Sequence, residues 1–248
     1  MRGEIIYIHH NCFILGLGRK TLLFDYPDPS HLPQNAALEV GRRIEGTDLT
    51  VFISHCHADH FDPDIMHVTA SAARCAYVVS DDVPDMFPGS VPDDALVVEP
   101  DRTYDFMGMR IETLESNDLG VAYCITDQAA IYYGGDLADW AWANLPRESA
   151  AAGRTFFTAA LARLADRAID AAFVNLDARL PNLAGGLDFA RALRPRVFIP
   201  MHAFGSIDYL GDHRAAIEAM GVTPFIYRHT GDSLSVDFEH ESGGKPLL

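Results

Sequence analysis

Short apolar runs separated by tight polar turns fill the first hundred residues of the chain. This pattern is typical of β-strands joined by hairpins. We expect strands at 4–8, 13–16 and 21–25, and a continuous apolar, β-branched run at 49–54 predicts a buried strand. Further apolar runs predict strands at 75–79, 95–98, 109–114, 121–126 and 130–133.

Helical spacing takes over in the second half of the chain. Apolar residues from Phe157 to Ala168 recur every three or four positions, which predicts an amphipathic helix. A strand at 172–176 follows, and two helix-then-strand units come after it. Their predicted elements are a helix at 187–193 with a strand at 197–200 and a helix at 212–220 with a strand at 223–227.

One further helix is predicted after the buried strand at 49–54. Asp62 and Pro63 supply an N-cap and a proline suited to the first helical position, so we expect a helix over 63–72. Strand-rich and helix-rich parts are interleaved, and no linker separates them. This arrangement predicts one layered domain over 1–248, with a frayed tail after about residue 238.

Composition narrows the class of protein. The chain has 19 Lys and Arg against 35 Asp and Glu, a formal net charge of −16, which is the wrong sign for a protein that binds nucleic acid. Its 4 cysteines form no C-x-x-C pair, which disfavours a disulfide framework or a structural zinc knuckle. The first apolar run is interrupted at 9–11, and no run is as long as a membrane span. We therefore expect a cytoplasmic protein that contacts neither membranes nor nucleic acid.

Three imidazoles and a carboxylate follow the buried strand within six residues, in the order His55, His57, Asp59 and His60. Imidazole and carboxylate are the ligands that Zn, Fe and Mn take. Residues i and i+2 of an extended chain point to the same side, so His55 and His57 can share one metal ion. Asp59 and His60 lie where the chain turns, and they face the same cavity from another direction. The motif therefore predicts one or two divalent metal ions.

Other predicted strands end in side chains of the same kind. Asp136 follows two glycines that permit close approach of the backbone. His202 and Asp177 follow two strands of the second half, and Arg179 lies two residues after Asp177. Because open sheets place their sites at the carboxyl ends of strands, we expect Asp136 and His202 to join the motif in one metal centre.

The string H-x-H-x-D-H at 55–60, with G-D at 135–136 and P-M-H at 200–202, resembles the metallo-β-lactamase-fold hydrolases over nearly the whole chain. The strings at 10–14 and 21–25 are similar to the start of single-domain bacterial proteins in the branch related to lactonases and RNase Z nucleases. The resemblance implies an α/β fold, the four-layer αββα sandwich of the metallo-β-lactamase type, with two sheets face to face and helices outside.

The resemblance also implies individual ligands. It assigns His55 and His57 to metal one and Asp59, His60 and His202 to metal two, with Asp136 bridging both ions. The family pattern has a third histidine for metal one, whereas the corresponding stretch of this chain, 114–120, contains no histidine. Metal one then has fewer protein ligands, and we expect it to be the weaker site.

An oxygen ligand could replace the missing histidine. Asp118, Asn117 and Glu115 are the candidates, and a water molecule is the alternative. Asp118 is preferred because a carboxylate offsets the charge of a cation better than an amide does. Zinc is the expected metal, and an oxygen ligand would shift the preference towards Mn or Fe.

These features together predict a hydrolase. A metal-bound hydroxide, formed near neutral pH, would attack a carbonyl or phosphorus atom, and Asp59 would act as the catalytic residue that orients it. The expected substrate is a small ester, lactone or phosphoester, with its anionic part held by Arg179. Asp177 would fix Arg179 or contact the substrate. Two rival functions stay open: a di-iron redox centre, and a degenerate member that binds a metal and a metabolite without turnover.

Four other residues are candidates for supporting roles. His10 is expected behind the metal ligands, and Asp25 is expected either to orient a metal-binding imidazole or to belong to a strand-end turn. Trp140 and Trp142 follow Asp136 closely, and packing in the core is favoured for them over a place in the pocket.

Overall fold

The computed structural model describes residues 1–238, so the tail that the sequence predicts to be frayed lies outside the described residues. Within 1–238 the chain forms two seven-stranded sheets. The strands are, in chain order, β1 (Arg2–His9), β2 (Cys12–Leu17), β3 (Lys20–Phe24), β4 (Asp48–Ile53), β5 (Arg74–Ser80), β6 (Leu96–Val98), β7 (Thr103–Phe106), β8 (Met109–Glu115), β9 (Val121–Thr126), β10 (Ala130–Tyr133), β11 (Ala171–Asn175), β12 (Val197–Met201), β13 (Thr223–Pro224) and β14 (Ser233–Asp237).

Both sheets are mixed. Sheet one has the order β14-β1-β2-β3-β4-β5-β6, and sheet two has the order β13-β12-β11-β10-β9-β8-β7. Antiparallel hairpins open each sheet, and the strands from β3 to β6 and from β10 to β13 run parallel. The carboxyl ends of these parallel strands therefore lie together at one edge of each sheet.

Six α-helices and three short 3₁₀ turns complete the described part of the chain. The helices are α1 (Ala36–Ile44), α2 (Ile65–Val68), α3 (Asp82–Met86), α4 (Arg147–Leu164), α5 (Gly186–Leu193) and α6 (Arg214–Glu218). Among the described residues, no helix combines the length and the apolar character needed to cross a bilayer.

Alternation along the strands builds the layers. In β1, Ile5 and Tyr7 point into the core between the sheets, while Ile6 and Ile8 point to the other face, which α1, α2 and α3 cover. This is the two-residue period of a strand that is buried on both sides. Apolar residues of α4, α5 and α6 pack against the outer face of sheet two. The four-layer αββα sandwich that the resemblance implies is confirmed.

The helix predicted over 63–72 is wrong in length, because the structure has only α2 there. Asp62 Oδ1 accepts a hydrogen bond of 2.9 Å from the Asp64 amide, a local turn that delays the start of the helix. Thr69 Oγ1 then bonds to the Ile65 carbonyl at 2.8 Å and also contacts the hydroxyl of Tyr77. The Thr69 amide also donates to the Ile65 carbonyl, at 3.0 Å, and this is the last i to i−4 bond of the segment.

The last predicted strand and helix are also shorter than expected. The strand at 223–227 is reduced to β13, because the next hydrogen bond of the parallel ladder would need an amide hydrogen on Pro200, which proline lacks. The helix predicted at 212–220 begins as a 3₁₀ turn at Asp208–His213 and is helical only in α6.

Four elements escape the sequence prediction: α1, α3, β7 and β14. The helix α1 has apolar residues four positions apart, at Ala36, Val40 and Ile44, and all three are buried. Its period is readable in the sequence, although the preceding Pro-rich stretch suggests a loop. The strands β7 and β14 are edge strands, and each is set by pairing with β8 or β1 rather than by its own pattern.

At Gly135, the segment that follows β10 of sheet two passes close to the segment that follows β4 of sheet one. Its φ is +48°, and a Cβ atom there would lie 2.7 Å from Ser54 Cβ and 2.9 Å from the Val121 carbonyl oxygen. Ser54 directly precedes the H-x-H-x-D-H motif, and Gly135 directly precedes Asp136. A residue without a Cβ is therefore needed where the Asp136 segment crosses the motif segment.

We expect Gly135→Ala to lower the free energy of unfolding by about 2–4 kcal/mol, because it adds both a positive-φ penalty and an overlap. Urea unfolding measures the loss. Gly153→Ala is the control, since a Cβ at Gly153 in α4 meets nothing within 4 Å, and it should leave stability unchanged or raise it by about 0.5–1 kcal/mol. Equal stability of Gly135→Ala and wild type would contradict the close approach.

Candidate metal centre

The structure brings the six predicted metal-ligating residues together from three segments, which follow β4, β10 and β12. Together with His10, these residues form two groups, and within each group the ligand atoms all lie within 4.8 Å of one another. The first group contains His55, His57 and Asp136, and the second contains His10, Asp59, His60 and His202. His10 is the one member that the sequence analysis places outside the ligand set.

Asp136 lies between the two groups. Its Oδ2 atom is 3.8 Å from His55 Nε2, and its Oδ1 atom is 3.4 Å from His60 Nε2 and 3.5 Å from His202 Nε2. The two oxygens of one buried carboxylate thus face different groups. This is the geometry that a carboxylate shared by two cations requires.

Asp25 supports His60 from behind. Its Oδ2 atom is 2.7 Å from His60 Nδ1 and accepts hydrogen bonds from Ser54 Oγ at 2.8 Å and from the Tyr133 hydroxyl at 2.5 Å. When neutral, an imidazole that donates from Nδ1 presents a lone pair on Nε2. His60 Nε2 is buried and has no hydrogen-bond partner, so it is an orphaned ligand atom aimed into the centre.

Asp177 supports His202 in the same way. Its Oδ2 atom lies 3.0 Å from His202 Nδ1. Arg179 donates to Asp177 from Nε at 3.0 Å and from Nη2 at 2.6 Å. The sequence suggests that Asp177 either fixes Arg179 or contacts the substrate, and the structure shows it bonded to Arg179. Asp177 also contacts His202, which the sequence analysis did not predict.

His10 differs from His60 and His202 in its hydrogen bonding. Its Nδ1 atom accepts a bond of 3.3 Å from the amide of Phe204, and its Nε2 atom lies 3.3 Å from Asp59 Oδ2. A backbone amide can only donate, so Nδ1 carries no hydrogen and the neutral ring carries it on Nε2. His10 Nε2 therefore presents a hydrogen towards Asp59 Oδ2, without the geometry of a hydrogen bond, instead of a lone pair to a metal.

Electrostatics favour a cation at this position. Burial lowers the pKa of both His10 and His55 to about 3, so both rings are neutral at pH 7. Burial also opposes the charges of His60 and Asp136, yet each stabilises the other: the pKa of His60 lies well above its usual range and that of Asp136 well below. The buried carboxylates thus hold positive charge in the centre even without a metal.

A divalent metal fits the residues present. The donor set consists of imidazole and carboxylate, His60 Nε2 has no other partner, and carboxylates behind His60 and His202 fix the direction of their lone pairs. Three of the residues also have positive φ values, His10 at 51°, Asp25 at 40° and His202 at 66°. Such conformations persist where the surrounding structure enforces them, and they concentrate at functional sites.

The three candidates for the missing ligand have different places. Asp118 lines the cleft at the centre, where burial and the charge of Asp136 raise its pKa. The side-chain amide of Asn117 is occupied by the backbone of Ala138, through bonds of 2.8 Å and 3.1 Å. Glu115 is exposed at the end of β8 and is not part of the cleft. Of the three, Asp118 alone lines the cleft, and it is an exposed residue outside both groups of ligand atoms.

Sequence reasoning missed the role of Asn11. Its Nδ2 atom donates to Asp136 Oδ1 at 3.4 Å, and its carbonyl accepts a bond of 2.9 Å from Tyr133. Asn11 comes from the β1–β2 turn, far from Asp136 in the chain, and no local pattern shows this contact. The string at 10–14 is the signal that marks the segment.

The preference for core packing of Trp140 and Trp142 is confirmed in part, because both pack against a small apolar cluster of Ala138, Leu180 and Ala184. Both are half-buried, and both also line the cleft beside the centre. Trp140 Nε1 donates to the carbonyl of Asp136 at 3.0 Å, which fixes its indole beside the cleft. The cleft has a volume of about 280 Å³ and is lined by His57, Asp59, Asp118, Asp136, Trp140, Trp142, His202 and Phe204.

Comparison with known proteins supports the fold. No protein-family model matches the chain, and no curated protein matches its sequence. Solved structures match it over most of its length. The metallo hydrolase Igni18 from Ignicoccus hospitalis has a TM-score of 0.65 at 17% identity, with 96% of this chain and 100% of that chain covered. The metallo-β-lactamase fold protein YhfI from Bacillus subtilis has a TM-score of 0.64 at 14% identity, covering 95% of this chain and 99% of that chain.

A third match has different chemistry. CmlA from Streptomyces venezuelae, a diiron β-hydroxylase, has a TM-score of 0.58 at 14% identity, with 94% of this chain and 54% of that chain covered. At such identities the likeness establishes the fold alone. The chain therefore has the metallo-β-lactamase fold, and its activity has to be argued from the site.

Replacing His10 tests whether it positions Asp59 or binds a metal. We expect His10→Ala to weaken zinc binding about 10- to 100-fold, because it removes the imidazole whose Nε2 lies against Asp59 Oδ2 and orients that ligand. His10→Gln keeps a side-chain N–H and should stay within a few-fold of wild type. Calorimetric titration against a competing chelator measures both affinities.

His202→Gln is the matched comparison, since it removes an imidazole whose Nε2 lone pair faces the centre. It should weaken zinc binding more than His10→Gln does. If His10→Gln and His202→Gln lose affinity equally, His10 is a ligand and the assignment of its hydrogen to Nε2 is wrong.

Proposed function

We propose that the protein is a metal-dependent hydrolase of small ester, lactone or phosphoester substrates. The observation that carries the proposal is the buried Asp136 carboxylate, whose two oxygens face two separate groups of imidazoles. Two cations held a few ångströms apart on a shared carboxylate suit the hydrolysis of a polarised carbonyl or phosphoryl group.

The proposed ligands follow the two groups. His55, His57 and Asp136 would hold metal one, and Asp59, His60, His202 and Asp136 would hold metal two. Asp118 would complete the first site through an oxygen, since its carboxylate faces the cleft. Zinc suits the imidazoles of both sites, and an added oxygen ligand at the first site would favour Mn or Fe there.

When bound, divalent cations in such a centre lower the pKa of water towards about 7 and polarise the group under attack. The chain's own residues would supply orientation. Asp59 Oδ2 faces the second group, 3.3 Å from His10 Nε2 and 3.8 Å from His60 Nε2, so Oδ1 would be left to accept a hydrogen from the attacking water and to direct it. Asp59 is partly exposed at the cleft, so its free oxygen can reach a bound substrate.

Arg179 is proposed to contact an anionic part of the substrate. Two of its nitrogens are bound to Asp177, whose charge offsets that of the guanidinium. The third nitrogen, Nη1, makes neither of these bonds, and about half of the side chain is exposed. Arg179 therefore offers one donor to a substrate instead of a bidentate clamp.

The cleft and the charge both favour a small substrate. A volume of about 280 Å³ lies at the lower end of the range for small-molecule sites. The net charge of −16 repels phosphate backbones, so nucleic acid is not the proposed substrate. A compact neutral or singly charged ester fits both constraints.

A redox function is the second candidate, and one observation favours it. Asp118 stands at the cleft where a histidine would be expected, and a site richer in oxygen suits iron. The same fold holds the diiron β-hydroxylase CmlA. Iron in protein purified without chelators, together with oxygen consumption in place of hydrolysis, would support this function.

We expect Asp59→Ala and His202→Ala each to reduce kcat about 100-fold or more on the best of a panel of lactone, phosphodiester and thioester substrates, since loss of the oriented nucleophile removes several kcal/mol of transition-state stabilisation. Steady-state kinetics with zinc restored measure the effect. His67→Ala, which changes an exposed histidine, is the control and should retain wild-type kcat.

Two results would count against the hydrolase. If both variants stay within a few-fold of wild type at equal metal content, the activity does not belong to this centre. If wild type turns over no member of the panel with metal restored, binding without turnover becomes the better account.

A further inference from the structure

Three aromatic side chains form one wall of the metal cleft. This aromatic wall consists of Trp140, Trp142 and Phe204. The rings of Trp140 and Phe204 each lie 4.9 Å from the ring of His202, measured between centroids. The rings of Trp140 and Trp142 are parallel within 5°, with centroids 6.1 Å apart. The wall therefore begins at a proposed metal ligand and continues outwards from it.

The exposure and the backbone conformation of Phe204 both lower the stability of the folded protein. Its side chain is 40% exposed, so much of an apolar ring faces water. Its φ is +47°, and it lies between His202 at +66° and Gly205 at +75°. A left-handed conformation is unfavourable for a bulky residue, and stability alone would select neither the conformation nor the exposure. An exposed aromatic ring beside a metal cleft is what binding an apolar group requires.

The wall is held rigid by polar contacts. Trp140 Nε1 donates to the carbonyl of Asp136. The guanidinium of Arg179 lies 4.1 Å from the Phe204 ring centroid and 5.2 Å from that of Trp142, and Asp177 holds it there. Arg179 thus links Phe204 and Trp142 through cation–π contacts. A surface fixed in this way loses little conformational entropy when a ligand binds.

We propose that the substrate carries a flat aromatic group that packs against Trp142 and Phe204, while its ester, lactone or phosphoester group faces the metal centre. This proposal rests on the proposed hydrolase function. The cleft, at about 280 Å³, has room for one ring and the reacting group together. The reacting group lies next to the ring because Phe204 and Trp140 both adjoin His202.

The two tryptophans give a direct test, because they are the only 2 in the chain and both belong to the wall. Tryptophan fluorescence of the zinc-loaded protein is titrated with phenylacetate and with acetate, which share a carboxylate and differ in the ring. We expect phenylacetate to bind about tenfold more tightly than acetate, the larger end of what an aromatic pair contributes.

Substitutions then locate the binding. Phe204→Leu and Trp142→Leu should each reduce the preference for phenylacetate about three- to tenfold, and Phe204→Tyr should restore it. Both leucine variants keep the Phe204 amide that bonds to His10, and zinc affinity measured in each separates loss of the aromatic contact from loss of metal. Leu38→Ala, on the exposed side of α1, is the control for a general loss of apolar surface.

The outcomes separate this proposal from the hydrolase function. Equal affinity for phenylacetate and acetate, or a preference that survives both leucine variants, overturns the aromatic substrate. If acetyl and phenylacetyl esters are hydrolysed equally well through Asp59, the hydrolase stands and the aromatic substrate falls. If phenylacetate is preferred and no ester is turned over, the aromatic ligand stands and the hydrolase falls.

Discussion

The charge of Asp136 is buried where the two sheets meet, and the rest of the centre is arranged around it. A buried carboxylate without compensation is very costly, and imidazoles on both sides supply the compensation here. Asn11 and the glycine turn before Asp136 fix its position. A cation on each side would complete this compensation, which is why we interpret the cluster as a metal centre.

The hydrogen bonds behind the imidazoles determine which ring nitrogen carries a hydrogen and which presents a lone pair to the centre. Asp25 and Asp177 leave the lone pairs of His60 and His202 facing inwards, whereas the Phe204 amide leaves the hydrogen of His10 facing inwards. Three rings of one chemical type therefore take two different roles. Distances alone place all three in one group, and hydrogen bonds distinguish the donor from the proposed ligands.

The sequence predicts what local spacing controls. The strands of the first half, the H-x-H-x-D-H motif and the strand-end positions of Asp136 and His202 are all visible in a one-dimensional pattern. The four-layer fold follows from the resemblance that these motifs carry. Asp25 also lies behind an imidazole, one of the two positions that the sequence analysis considers for it.

The remaining features depend on contacts between distant segments. Nothing near Asn11 indicates that it bonds to Asp136, and the tautomer of His10 depends on an amide nearly two hundred residues away. The helix at 63–72 is overestimated because a side-chain bond from Asp62 forms a local turn where the helix is predicted to begin. Trp140 lines the cleft as well as packing on an apolar cluster, because the carbonyl of Asp136 holds its indole there.

Anomalous diffraction from a zinc-soaked crystal tests the central claim most directly. The account predicts two zinc peaks about 3.5–4 Å apart on either side of Asp136. One should lie beside His55 and His57, and the other, with the higher occupancy, beside His60 and His202. A single peak, or peaks that do not contact Asp136, would contradict a carboxylate shared by two metal ions.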